Sequence, residues 1–252
     1  MSIIETNSKG RVSVDTSRDV FLQREHMVDA VFSGLRGGDF ESLACIFERC
    51  DFSNMRPRRT VFASGLEPTL YSGCRFDGSK FKKVVGGIAR FEKCSFLDVE
   101  IDGLFGHAIE FVDCVFSGVL RRTVFFGRVG GTYAGLTTRT VNEFLRNDFS
   151  AAEFHDVSFR EGIDLAQQRL PRGDAYLYLN NARERLASLR KKYIEQPPSE
   201  RREAIFAFLS RAEQKLRAGQ DQLFLCKDSE PFLSRQTADV IWEELGQDNV
   251  PA

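Results

Sequence analysis

Between residues 74 and 118 the chain reads CRFDGSKFKKVVGGIARFEKCSFLDVEIDGLFGHAIEFVDCVFSG, with cysteine recurring every 20 residues at Cys74, Cys94 and Cys114. Phenylalanine stands two positions after each, at Phe76, Phe96 and Phe116. A fixed period with a fixed internal phase predicts stacked repeats, each burying its apolar face only against its neighbours. A shorter beat runs inside it. Apolar residues fall at Phe76, Phe81, Phe91, Phe96, Ile101, Phe111, Phe116 and Phe126, all in phase with a five-residue step. Two positions earlier sits a small or apolar residue, such as Cys74, Ser79, Ala89, Cys94, Val99, Ile109, Cys114 or Val124. A helical period of about 3.6 or a strand period of 2 would scatter this beat over both faces.

Four steps of five make the 20-residue turn. The pattern resembles the pentapeptide-repeat family. That resemblance implies an all-β solenoid, a right-handed quadrilateral β-helix, in which the centre residue of each step and the residue two before it point inward. The beat predicts about five to six coils over residues 30–165, because Ala30-Val31-Phe32-Ser33-Gly34 echoes Cys114-Val115-Phe116-Ser117-Gly118. The step from Cys50 to Cys74 is four residues long in excess, which places an insertion around 56–59 (Arg56-Pro57-Arg58-Arg59). A surplus of thirteen residues between Cys114 and Asn147 falls at 128–141, RVGGTYAGLTTRTV. Insertions in a solenoid become loops on one side. Two aromatic columns follow from the register: Phe32, Phe52, Phe76, Phe96, Phe116, Phe149, and Phe47, Tyr71, Phe91, Phe111, Phe144. Gly86 and Gly106, where a centre residue is expected, predict a bulged third side.

The flanks differ. Residues 1–29 read as an N-terminal arm or cap, with 1–17 polar and unpatterned and 17–28 either a short capping helix or an irregular first coil. Of the 23 phenylalanines, 19 precede residue 166. Residues 166–252 therefore form a C-terminal α-helical appendage. Residues 175–179 read as an extended segment closing the coil end. Asn180 or Asn181 caps a helix to Tyr193 with Leu186, Leu189 and Tyr193 on one face. Pro197-Pro198-Ser199 restarts the chain into a helix with Ile205, Phe208, Leu209, Ala212 and Leu216 inward, ended by Gly219. Residues 223–226 (LFLC) precede a last helix over 234–245 with Ala238, Ile241, Trp242 and Leu245 on a face. These helices cap the solenoid, since an open coil end exposes strand edges and core; a homodimer contact is the other role open to them.

Five cysteines, Cys45, Cys50, Cys74, Cys94 and Cys114, fall at the small inward position, where a compact hydrophobe is wanted. No Cys-x2-Cys pair exists, and ligands in a line do not make a tetrahedron, so no metal or other cofactor is expected. Cys226 lies outside the pattern. His26, His107 and His155 have no triad spacing and read as surface histidines. The glycines of 127–131 lack a Walker lysine and read as a flexible insertion. No nucleophile, base or metal set emerges, so no enzyme is expected.

Arg56, Arg58, Arg59, Lys82, Lys83, Arg121 and Arg122 fall near one side in successive coils, a candidate stripe for phosphate or an acidic partner. Asp98, Glu100, Asp102, Glu110 and Asp113 make that surface mixed, and the net charge is −1. Both argue against nucleic acid as the main partner. No apolar h-region or stretch of about 18 apolar residues occurs, so a cytoplasmic protein with no membrane segment is expected. The pattern favours a non-enzymatic protein-interaction module with a protein partner. Some pentapeptide-repeat proteins protect type II topoisomerases as acidic duplex mimics, so the resemblance implies that role as an alternative, and anion or nucleic-acid binding through the basic stripe is another.

Overall fold

The computed structural model describes residues 4–6, 12–15, 18–230 and 232–246. The five-residue beat folds into a β-solenoid of about five turns built from parallel sheets. One sheet stacks Val20–Gln23, Phe40–Leu43, Thr60–Ser64 and Val84–Val85. A second stacks His26–Val28, Ile46–Glu48, Thr69–Ser72, Ala89–Glu92, Ile109–Val112 and Phe144–Leu145. A third holds Lys80–Lys82, Ser95–Asp102, Phe105–Gly106, Val115–Phe126 and Asp148–Arg160. Isolated bridges Val31↔Asp51, Asp51↔Arg75 and Arg75↔Ser95 continue the ladder between sheets. Parallel pairing puts like residues on top of one another, so Phe47, Tyr71, Phe91, Phe111 and Phe144 align.

Both aromatic columns form. Phe32, Phe52, Phe76, Phe96, Phe116 and Phe149 stack at centroid spacings of 4.4–4.9 Å. Phe47, Tyr71, Phe91 and Phe111 stack at 4.6–5.0 Å. Phe144 breaks that column, meeting Phe111 at 77°. The cause is Phe125, wedged 5.7 Å from Phe111 and 5.2 Å from Phe144. Each fully buried ring contributes about 1.5–3 kcal/mol of transfer free energy.

Four details of the sequence reading are corrected. Of the two readings of 17–28 the helix fails and the first coil holds for the described part: Val20–Gln23 and His26–Val28 pair with the next turn, so the coil begins before Ala30. Val20, Leu22 and Met27 alternate inward at strand period, which decides it. Position 17 lies outside the described residues. In the arm, Ile4–Thr6 pairs antiparallel with Val12–Val14. The four-residue insertion is not at 56–59, since Arg36↔Arg56, Phe40↔Thr60 and Glu41↔Val61 keep the 20-residue register. It falls after Val61, where Leu43 faces Ser64 and Ile46 faces Leu70 across the Gly65-Leu66-Glu67-Pro68 turn. Finally, the beat slips by one at Gly118, which faces Val99 with φ +88°. A Cβ there would stand 2.3 Å from the Val99 carbonyl oxygen. After the slip, Leu120 rather than Arg121 points inward, and Phe125 rather than Phe126 joins the core.

The C-terminal residues close the stack. Tyr176–Leu179 pairs antiparallel with Leu223–Cys226 as a two-faced ribbon. Tyr176, Tyr178, Phe224 and Cys226 face the solenoid core, with Phe224 5.8 Å from Phe154 and 6.2 Å from Phe159. Leu177, Leu179, Leu223 and Leu225 face a second core shared with three helices, α1 (Ala182–Ile194), α2 (Glu200–Arg217) and α3 (Arg235–Gly246). Ser199 caps α2, accepting from the Arg202 N–H, and Ser234 accepts from the Thr237 N–H before α3. The ribbon supplies the rings that cover the coil end. Cys226 is thereby explained as an inward residue of that closure.

Phe91, fully buried and in ring contact with Phe62, Tyr71, Phe76, Phe96 and Phe111, is the sharpest test of this packing. Phe91→Ala should lower unfolding free energy by about 3–5 kcal/mol, measured by urea denaturation. A loss under about 1 kcal/mol would mean that the column does not stabilise the coil.

Candidate interaction surface

The basic residues singled out in the sequence do share a region, but most are neutralised there. Val84 pairs with Thr60, which sets Lys82 and Lys83 above Arg58 and Arg59, and Arg121 pairs with Asp102, itself paired with Lys82. Arg58 binds Asp39 at 2.9 Å and Arg59 binds Glu41 at 3.0 Å. Lys82 lies 3.9 Å from Glu100, and Arg122 binds Asp102 in a bidentate pair. The Arg58 hydrogen bond pulls the Asp39 carboxyl below its ordinary value, and the Lys80 hydrogen bond does the same for Glu100. Arg56, Lys83 and Arg121 are exposed and form no ion pair with a described residue. Arg56 belongs to a neighbouring row, bridged to Arg36. Exposed pairs of this kind add little to stability, but they cancel the field that an anion would sense.

The inserted 128–141 segment is a firmly rooted protrusion. Arg128 and Val141 form an antiparallel bridge, and the Val129 N–H donates to the Thr140 carbonyl at 3.0 Å. The buried Asn142 amide donates to the carbonyls of His107, Phe126 and Arg128 at 2.8–3.1 Å. Glu110, itself buried, receives Arg139 at 2.6 Å and Arg90 at 3.2 Å, while Arg90 also reaches Glu143. Arg139 donates to the Ala108 carbonyl as well. His107 lies on the Phe126 ring at 4.2 Å, and the Gly130 N–H donates to its carbonyl. A Cβ on Gly131 would come within 3.2 Å of the imidazole, at φ +59°. The predicted surface histidine is thus a half-buried footing for the loop. Leu136, beyond this root, and the outer face of Val141 within it are more than half exposed.

A second feature had no signal in the sequence. A cleft of about 510 Å³ opens between the last solenoid strand and α3, lined by His155, Tyr176, Lys227, Asp228 and Asp239 among others. His155 projects outward, as the register predicts, with Nε2 2.6 Å from Glu153 and Nδ1 2.6 Å from Asp228. It joins the solenoid to the turn after the ribbon. Only the fold brings positions 155 and 228 together. His26 is exposed beside Glu48 at 2.8 Å.

All six cysteines are buried free thiols. Cys50, Cys74, Cys94 and Cys114 each donate to a carbonyl one rung away, those of Met27, Phe47, Tyr71 and Phe91. Burial pushes the Cys45 and Cys94 thiols up, and the Cys226 thiol to about 12, which makes them packing groups rather than nucleophiles. Among the described residues, no group of three or more His, Cys, Asp or Glu is placed to hold a metal ion. No described helix is long and apolar enough to cross a membrane.

No family model matches the chain, and no curated protein matches it.

Burial, the largest influence, holds the His107 imidazole below its ordinary value of 6.5, against the attraction of Glu161. The unfolded chain therefore binds this proton first, so the contribution is present above the unfolded value and is lost as pH falls through the folded one. Stability should drop between about pH 7 and pH 5, a window above that of the carboxylates, and His107→Phe should flatten the drop. An unchanged profile in that variant would exclude His107 as its source. Arg139→Met leaves Glu110 still paired with Arg90 but unties the loop. Chymotrypsin cleavage at Tyr133 or Leu136 should then rise at least about tenfold, equivalent to about 1.4 kcal/mol of local opening, with little change in melting temperature.

Proposed function

We propose that this chain is a non-enzymatic protein-interaction module, built on a right-handed quadrilateral β-helix of the pentapeptide-repeat type, that acts in the cytoplasm and presents the 128–141 protrusion to a protein partner. The observation that carries this reading is the contrast between the loop's root and its tip. A buried Glu110 with two arginines, an amide with three carbonyl contacts and a stacked histidine fix the base, while apolar Leu136 stands exposed above it and Val141 is exposed at its edge. Holding a loop in one shape removes ordering entropy from the binding step, which favours recognition. The flat sides of the coil supply support, not chemistry, since their thiols are buried and donate to backbone carbonyls of the adjacent rung. Alternating acid and base along the corners supports a protein partner over duplex mimicry, which needs dense negative charge of one sign.

The test is affinity capture with the full chain and with a variant in which residues 129–140 are replaced by a short Gly-Ser turn, both checked for the same melting temperature. A partner should be retained by the intact chain and lost, by at least about tenfold in affinity, with the variant. Equal retention by both would assign recognition to another face.

A further inference from the structure

The tip of the 128–141 protrusion differs from the rest of the chain in carrying no charge. Residues 129–138 read VGGTYAGLTT, without an Asp, Glu, Lys or Arg, in a chain where those residues make up 28%. The cations at its two ends are turned away. Arg139 is held at the root by Glu110 and the Ala108 carbonyl. Arg128 reaches toward the end of α2, its Nη2 3.9 Å from where a Cβ on Gly219 would stand.

The same segment is ordered by its own backbone. Gly131–Tyr133 forms a 3-10 turn, in which the Tyr133 N–H donates to the Gly130 carbonyl at 3.2 Å. Ala134 at φ −59° and ψ 122°, followed by Gly135 at φ +77°, has the geometry of a type II turn. The Leu136 N–H closes that turn on the Tyr133 carbonyl at 3.0 Å. Such a turn brings the Cα atoms of its end residues within about 7 Å of each other. Those ends are Tyr133 and Leu136, the two largest apolar side chains of the tip, one half-buried and the other 52% exposed.

We propose that the tip docks into an apolar, uncharged pocket of a partner protein, with Leu136 and the Tyr133 ring as its paired anchors. This rests on the reading of the protrusion as the recognition element and adds the chemistry of what it meets. An uncharged tip gains nothing from phosphate or from an acidic surface, whereas burying a leucine and an aromatic ring is favourable against an apolar wall. A turn closed before the partner arrives also spares the ordering cost of binding. A second copy of this chain is the poorer match. Its His155 cleft is lined by Lys227, Asp228 and Asp239, and a cleft of about 540 Å³ beside α1 is lined by Arg185, Lys192 and Glu244.

The experiment takes the protein retained by the intact chain in the capture described above, purifies it, and titrates it calorimetrically with the full chain and its variants. Leu136→Ala and Tyr133→Ala should each weaken binding at least about tenfold. Both residues lie outside the core, so their variants should keep the wild-type melting temperature. Wild-type affinity should change less than about twofold between about 50 and 500 mM NaCl, since no exposed charge is paired. Gly135→Ala, whose Cβ meets nothing within 4 Å but whose positive φ suits glycine or asparagine, should weaken binding, and Gly135→Asn should keep it. Wild-type affinity in both anchor variants, or a fall of more than about tenfold with salt, overturns the apolar pocket. The protrusion itself then still stands if the 129–140 replacement loses binding. Dimerisation of the chain that Leu136→Ala abolishes would make the occupant a second copy and also overturn it. No retained partner, or equal retention by the 129–140 replacement, overturns both readings together.

Discussion

The structure depends on two columns of aromatic rings that interlock at nearly right angles. Within a column, rings stack face to face, as Phe76 does on Phe96 at 4.7 Å and 4°. Between columns they meet edge to face, as Phe76 does with Phe91 at 72°. Both arrangements are the favourable ones for ring quadrupoles, and together they lock the rung spacing to that of a parallel ladder, near 4.8 Å. This fixes what the neighbouring inward position can be. With rings filling the interior, only a small side chain fits beside them, and a thiol does so while donating to the carbonyl of the adjacent rung. Cysteine here is a consequence of phenylalanine.

Turning a chain through the corners of such a coil demands left-handed backbone at fixed points. Asp29, Arg49, Gly73, Lys93, Asp113 and Arg146 form one such column, all with φ of 51–61°. Non-glycine residues in this region cost about 1 kcal/mol or more each, and stacking would also pile up charge. The sequence alternates sign where charge recurs: Asp29 with Arg49 at 2.9 Å, Asp113 with Arg146 at 2.6 Å. Strain is thereby partly offset, and the surface stays close to neutral. A near-zero net charge is what this ladder of corner pairs leaves behind.

What was legible in the sequence was whatever the stacking enforces. Phe32 through Phe149, the inward cysteines, the 128–141 surplus and the three apolar helix faces were all readable, because each follows from a period. The misplacements share one cause. Counting from Cys50 to Cys74 gives the size of an insertion but not its place: Pro57 carries the stronger turn signal, yet the excess sits beyond Val61, at Gly65 and Pro68. Likewise the slip at Gly118 is invisible to a modular count, since Phe125 and Phe126 are chemically identical and only the ladder selects one. Strands over 20–28 were obscured because the first turn has Met27 where later ones have a ring. The footing of the loop needed Arg90, Glu110, Arg139 and Glu143 brought together over 53 residues, and no local pattern announces that.

A solenoid of flat sides excludes concavity for the same reason that it is stable. Each rung fills the space over the last, so rings and thiols leave little room between them. Asn147 and Gln168 mark where the period fails at the C-terminal end: they replace the thiol at the small inward position with amides that bond to Cys114, Phe111 and Phe144. Beyond them the ribbon must satisfy two partners at once. Alternation along a strand lets it present rings to the solenoid and leucines to the helices, but the meeting of a flat coil end with convex helices leaves gaps at the margin. The His155 cleft is such a gap. The 128–141 protrusion is rooted at another such break, where the 20-residue step is exceeded between Cys114 and Asn147.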